Sequence, residues 1–314
     1  MNLIRYEWKK INAPRWLTAA LCLLTFCGII LTFALVDQDE SDWRSYAETH
    51  RAELQEMIAQ TDPEDPQYEE FCAVFRKEID QIDYCLENDL IYGCQSVWSY
   101  LYRARFLLGI LTIAMILLAG NAVAVEHICK MHEKITSRKY TIIMLLRTKL
   151  CALWLLEFLT HLAGAAVLFL VGFLLFGHAG QITSAAYTDG MVVTQNLAGS
   201  AAIYFIVSLL AALIYIDLAV ILETLFPNKK IVSVSVILLY LFNGTLVTIS
   251  EKLGAVKILP FYYLDAARCA DGLHTADFRF QAVYLICLFA LLTALAFFAA
   301  KPRVHRDEQI PQAA

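Results

Sequence analysis

Two histidines, two glutamates and a cysteine lie close together in residues 123–150, VAVEHICKMHEKITSRKYTIIMLLRTKL, just beyond an apolar segment. Such a cluster invites a test for metal-assisted hydrolysis at a membrane. A zinc protease needs His-Glu-x-x-His, which sets two ligands one helical turn apart with the glutamate as base. Here Lys134, Ile135 and Thr136 follow His132 and Glu133, so Thr136 stands where the second ligand belongs. His127 and His132 are five residues apart, about 140° round a helix, and converge poorly on one ion. The reversed spacing His-x-x-Glu-His is absent as well, so no metal site is expected. Other catalytic patterns fail in the same way. Gly-x-Ser-x-Gly does not occur, and none of the 13 glycines precedes a lysine, which excludes a phosphate-cradling loop of the Walker type. The chain reads as no enzyme, and nucleotide-driven work would come from another chain.

A second set of reactive side chains is embedded in apolar sequence. Glu157 and His161 are four residues apart and share a helix face, about 12 and 18 Å along the axis from Lys149. Asp217, with Glu223 about 9 Å further on, and Asn243 occupy other apolar runs. Ionisable groups in such settings are expensive and face protein or water. They fit a polar lining of a transport route, a proton-linked pair, or a purely structural Glu–His hydrogen bond joining helices.

The elements that would position these groups are membrane spans. Hydrophobic residues make up 59% of the chain, charged residues 18%, and mean hydropathy is +0.56, far from a soluble domain of 314 residues. A hydrocarbon core about 30 Å thick needs roughly 20 apolar residues per helix. Six runs qualify: 16–36, 106–125, 150–176, 197–222, 231–250 and 282–300. The expected fold is an all-α integral membrane protein of six transmembrane helices. The first run is too long for a signal-peptide core and leads straight into Asp37, Asp39 and Glu40, so it is expected to stay as a span.

Basic residues set the orientation. The segments 1–15, 126–149, 223–230 and 301–314 hold 15 of the 25 lysines and arginines, whereas 177–196 holds none. Both termini are therefore expected in the cytoplasm, with 37–105, 177–196 and 251–281 outside. Segment 1–15 places Leu3, Ile4, Trp8 and Ile11 on one side of an interfacial elbow helix. Segment 251–281 mixes Pro260, Phe261, Tyr262 and Tyr263 with scattered charge, as short interfacial or re-entrant helices do.

The segment 37–105 reads as an external helical hairpin. Between 37 and 103 it carries 17 acids and five bases, and either attracts cationic substrates or simply presents a solvated surface. Tyr68, Phe71, Cys72, Phe75, Ile79, Ile82 and Leu86 recur at three- and four-residue steps in the second arm. Trp43, Tyr46, Leu54, Met57 and Ile58 offer the matching face of the first, and Asp65 with Pro66 would open the new helix. Of nine cysteines, Cys72, Cys85, Cys94 and Cys269 fall outside. Cys72 and Cys85 on one helix are about 20 Å apart and cannot bridge. Cys85 with Cys94 is the geometrically feasible local pair, against the alternative of free, buried thiols.

Elbow, six spans, a glutamate closing span two (Glu126), a short cytoplasmic helix, Ser137-Arg138 and a lysine opening span three (Lys149) together resemble the permease subunits of bacterial type-2 ABC transporters. The segment ILPFYYLDAARCADGL before the last span is similar to that family's external helices. The resemblance implies an exporter in which two permeases, homo- or heterodimeric, bind two cytoplasmic ABC ATPase subunits. It implies that the helix between spans two and three is the coupling helix that docks on the ATPase. Glu126, Cys129, Lys130, His132 and Glu133, then Lys134, Ser137, Arg138, Lys139 and Lys149, would form that contact. Spans two and five would line the permease interface, which makes Asn243 a cavity residue beside Glu157, His161 and Asp217. No cofactor is implied on this chain, ATP and magnesium belonging to the partner ATPase. The cargo implied is an amphipathic peptide, antibiotic or lipid-like molecule, with membrane lipid and no nucleic acid among the partners. The domain between spans one and two would be the cargo-specific elaboration, in the plasma membrane of a bacterium.

Overall fold

The computed structural model describes residues 7–9, 13–35, 43–62, 68–94, 96–122, 142–177, 180–188, 191–226, 229–243, 245, 264 and 277–308. Apolar composition dictates long helices here, because a backbone that cannot hydrogen-bond to water must satisfy itself internally. Nine helices follow among the described residues: α1 (Ala13–Leu35), α2 (Trp43–Gln60), α3 (Tyr68–Glu87), α4 (Val97–Ala104), α5 (Leu108–Ala122), α6 (Ile142–Phe176), α7 (Leu197–Leu225), α8 (Lys229–Leu241) and α9 (Asp277–Glu308). Four stretches are long and apolar enough to cross a membrane: Arg15–Thr32, Val97–Gly120, Met144–Phe176 and Leu197–Leu225. Ile231–Leu241 and Ala282–Phe298 are shorter apolar helices. The protein is thus a mostly helical membrane protein.

Helix α7 is the centre of the bundle and packs against α4, α5, α6, α8 and α9. Its start is fixed by Asn196, whose side-chain oxygen accepts from the Gly199 amide at 2.9 Å and satisfies one orphan donor of the first turn. Leu24 of α1, Leu111 and Ile116 of α5, Leu153 and Leu156 of α6 and Ile216 of α7 form one continuous core. Small residues let backbones approach closely: a Cβ added at Gly164 would meet Leu111 and Leu24, and one at Gly120 would strike Ser233 of α8.

Helices α2 and α3 form the hairpin that periodicity foretells, but its packing differs from the expected stripe. Among the described residues Ala47, Leu54 and Ile82 pack as one buried cluster, with Trp43, Phe75, Ile79 and Leu86 around them, and Cys72 and Cys85 of the second arm are also buried. Ala47 takes the central place, whereas Met57 and Phe71 stay exposed. At roughly 1.5–3 kcal/mol per buried large aliphatic side chain, this core contributes only a few kcal/mol. Support comes from outside it: Arg51 Nε meets Asp83 Oδ1 at 2.8 Å, and α3 leans on a β-hairpin.

That β-hairpin is a small exception within a mostly helical architecture. Strands β1 (Thr183–Thr188) and β2 (Met191–Asn196) pair antiparallel, from Thr183 opposite Asn196 to Thr188 opposite Met191, in what was expected as a plain loop. A second difference concerns 97–105, assigned by hydropathy to the external domain. Ser96 opens α4 with a capping box shared with Ser99, and α4 continues through a 3-10 turn (Arg105–Leu107) into α5. Tyr100 is fully buried and donates to the Gly28 carbonyl at 3.2 Å, which ties α4 to α1 inside the bundle.

Candidate functional site

Three helices bring the polar groups of the bundle together. Glu157 and His161 sit one turn apart on α6, both with no exposed surface, and His161 Nδ1 approaches Glu157 Oε1 to 2.9 Å. The approach is off the ring N–H axis, so it is a close charge contact rather than a completed hydrogen bond, and Glu157 Oε2 has no partner among the described residues. On the other side of the ring, His161 Nε2 lies 3.4 Å from Ser208 Oγ of α7, and Phe205 packs on the imidazole. Ser208 donates to the Phe205 carbonyl at 3.1 Å. An acid and a base buried side by side can offset each other's cost of burial.

Asp217 is not joined to this pair. Its carboxylate accepts from Trp154 Nε1 at 2.9 Å and from Thr293 Oγ1 at 2.7 Å, so α6, α7 and α9 converge on one fully buried acid. Trp154 is held edge-on against Phe289 of α9, 5.3 Å between ring centroids. Deeper along α7, the buried Tyr215 donates to Asn243 Oδ1 at 3.4 Å and packs edge-on against Tyr240. Lys149 and Glu223 are both buried, at 4% and 5% exposure. Sequence spacing finds Glu157, His161, Asp217 and Asn243. It does not find Trp154, Ser208 and Thr293, which lie 63, 47 and 76 residues from the groups they bond.

The expected docking residues Glu126, Cys129, Lys130, His132, Glu133, Lys134, Ser137, Arg138 and Lys139 lie outside the described residues. Helix α6 nevertheless starts at Ile142, immediately after that segment and well before the apolar run. It is 35 residues long, so it measures about 52 Å against a hydrocarbon core of about 30 Å.

At the far end of the bundle, α3, α4, the β-hairpin and the start of α7 enclose a 290 Å³ cavity lined by Gln81, Cys85, Tyr92, Tyr102, Arg103 and Gln195 among others. Cys85 and Cys94 are buried thiols that are not bridged to each other. Burial pushes the Cys85 thiol up, opposed by the Ala185 amide that donates to its sulfur. Tyr92 donates to Glu78 at 2.9 Å, and burial first, then the Glu78 charge, raises its hydroxyl above the ordinary value. Next to the cavity, Arg105 stacks on Tyr102 and Tyr204 and donates to Ser200 at 3.3 Å, which is how a cation is housed at this depth.

Residues 57–303 match the family described as "Protein of unknown function (DUF2705)". The chain is 25% identical over 309 residues to the "Uncharacterized protein YhcI" of Bacillus subtilis (strain 168), covering 95% of this chain and 96% of that protein. No solved structure matches the chain.

Proposed function

The chain belongs to this DUF2705 family, and we propose that it works as the transmembrane permease subunit of an ATP-driven ABC exporter. Two permeases, two copies of this chain or this chain with a related one, would bind two cytoplasmic ATPase subunits that supply ATP and magnesium. Six spans would place both termini in the cytoplasm and the acidic hairpin outside a bacterial plasma membrane. The cargo class that fits is an amphipathic peptide, antibiotic or lipid-like molecule, captured from the inner leaflet or cytoplasm.

The observation that carries this reading is the continuity of α6. One unbroken helix runs from Ile142, at the exit of the coupling segment, past Lys149 to the Glu157–His161 pair and on to Phe176. A rigid rod of that length transmits a push at its cytoplasmic end to the polar contacts that hold α6 against α7 and α9. Closure of the ATPases would supply the push through Glu126, the residues 129–134, Ser137, Arg138 and Lys139.

The deciding experiment is a pull-down of the full chain in mild detergent from its native host, with the accompanying ATP-binding protein identified by mass spectrometry. A stoichiometric ATPase whose turnover rises with the permease is the expected result. Activity of the chain alone in vesicles, driven by a pH gradient, would overturn it.

A second reading has its own observation in Oε2 of the buried Glu157, which has no partner among the described residues. An ion-coupled secondary transporter would use Glu157, His161 and Asp217 as its coupling groups and would need no ATPase. A membrane sensor, with the hairpin as ligand receptor, is separated from the exporter by vesicle flux with a catalytically dead ATPase. Only the exporter loses all flux.

A further inference from the structure

The 290 Å³ cavity where α3, α4, the β-hairpin and the start of α7 meet lies near the lower end of the range for small-molecule sites, about 300–1,000 Å³. Its wall draws Gln81 from α3, Tyr102 and Arg103 from α4, Tyr187 from β1 and Gln195 from β2, so it exists only where these parts of the fold come together. Amides and hydroxyls make most of the wall polar, and no aspartate or glutamate is among its described lining residues. Arg103 is exposed toward this space, and no ion pair among the described residues includes it. Arg44 and Arg51 of α2, by contrast, are paired with Asp89 and Asp83. Two further cations lie against lining rings, Arg105 at 3.9 Å from the Tyr102 centroid and Lys77 Nζ at 5.5 Å from that of Tyr187. Glu78 does not line the cavity; it accepts from the Tyr92 hydroxyl at 2.9 Å and meets His50 at 3.4 Å.

Charge and size together select the occupant. A polar pocket whose one formal charge among the described lining residues is an arginine favours a negative ligand and repels a cation. A guanidinium fork matches a carboxylate, donating two parallel hydrogen bonds to its oxygens. A bare inorganic anion would leave most of the space unfilled, whereas the rings of Tyr92, Tyr102 and Tyr187 offer a planar organic body apolar area to cover. We propose that this cavity binds a small organic carboxylate, with its charge on Arg103 and its body against the tyrosine rings. The site goes beyond the exporter reading and does not rest on it, since it involves neither the coupling segment nor the polar groups around Glu157 and Asp217.

The test uses the full chain in phosphatidylcholine nanodiscs, with empty nanodiscs as background, and reads binding of benzoate, benzamide, benzylamine and acetate by saturation-transfer NMR at pH 7. The first three share one ring and differ in charge, and acetate keeps the charge without the ring. Benzoate is expected to bind saturably and more tightly than the other three. Arg103→Gln should weaken benzoate roughly tenfold or more, the scale of a lost charge-assisted hydrogen bond, and leave benzamide unchanged. Gln81→Glu, almost the same shape, sets a carboxylate into the wall from a different helix and is expected to weaken benzoate to a similar degree. Arg103→Lys should restore part of what Arg103→Gln loses. Because Arg103 is exposed and the Gln81 change is nearly isosteric, neither variant is expected to disturb the fold, which the thermal midpoint checks. Benzamide or benzylamine binding as well as benzoate would overturn the proposal. So would acetate matching benzoate, no saturable binding of benzoate, or a benzoate affinity indifferent to both Arg103→Gln and Gln81→Glu.

Discussion

His161 Nδ1 lies 2.9 Å from Oε1 of Glu157, and neither side chain has any surface in contact with solvent. An acid and a base so placed stabilise each other only as a pair. Removing one leaves a charge or an unpaired polar group in the apolar interior, at a cost of about 3–5 kcal/mol for a broken buried pair. Removing both leaves only a packing defect.

Glu157→Leu and His161→Leu are each expected to lower the thermal midpoint of the detergent-solubilised chain. Glu157→Leu with His161→Leu should be milder than the worse single change. A double-mutant cycle of unfolding free energies measures it. Strict additivity of the two single effects would show that the contact contributes nothing as a pair.

Asp217 is held by donors from two other helices, so its loss should be read at both. Trp154→Phe keeps the ring against Phe289 but removes the 2.9 Å donor, and Thr293→Val removes the 2.7 Å donor with little change of volume. Each is expected to cost about 1–3 kcal/mol, the range for leaving a buried acceptor short of a donor. On an Asp217→Leu background both changes should become nearly neutral. Full costs persisting there would mean that packing, not the hydrogen bonds, accounts for them.

What the sequence makes legible is what short-range spacing encodes. The Glu157–His161 contact follows from a four-residue step on one helix, and α2 and α3 follow from apolar periodicity. Asp217's partners come from positions far along the chain, which no spacing rule connects. The start of α4 was hidden because Arg103 and Arg105 interrupt the hydropathy. Arg105 is accommodated by Tyr102, Tyr204 and Ser200, a solution visible only in three dimensions. The β-hairpin had a signal that a length-based reading passed over: β-branched Val192, Val193 and Thr194 follow an Asp189-Gly190 pair. Met57 and Phe71 match the periodic stripe yet stay exposed, whereas Cys72 beside Phe71 is fully buried.

The Tyr92 hydroxyl gives the hairpin a pH dependence with a definite sign. Burial and the neighbouring Glu78 carboxylate raise its pKa above the ordinary value of 10.0, against the weaker opposite pull of Arg103. The neutral phenol is therefore favoured by the fold. Its contribution is fully present below about pH 10, the value of the unfolded chain, and is lost as pH rises from there through the folded pKa. Unfolding of the hairpin, followed at several pH values from 9 to 11.5, should show a fall in stability that is shallower in Tyr92→Phe. Identical slopes in the two proteins would remove Tyr92 from the account.

The coupling prediction concerns residues that precede α6. Arg138 and Lys139 belong to the basic segment that precedes α6, where the proposed exporter would dock its ATPase. Arg138→Glu with Lys139→Glu should weaken association with the ATPase by tenfold or more, since juxtaposing like charges at an interface costs several kcal/mol. The chain is expected to fold with an unchanged thermal midpoint. Copurification and ATPase stimulation are the two readouts. Loss of both with an intact midpoint supports a docking role. Retention of both, with the permease equally stable, would place the ATPase contact elsewhere on the cytoplasmic side and remove α6 as the element that transmits the push.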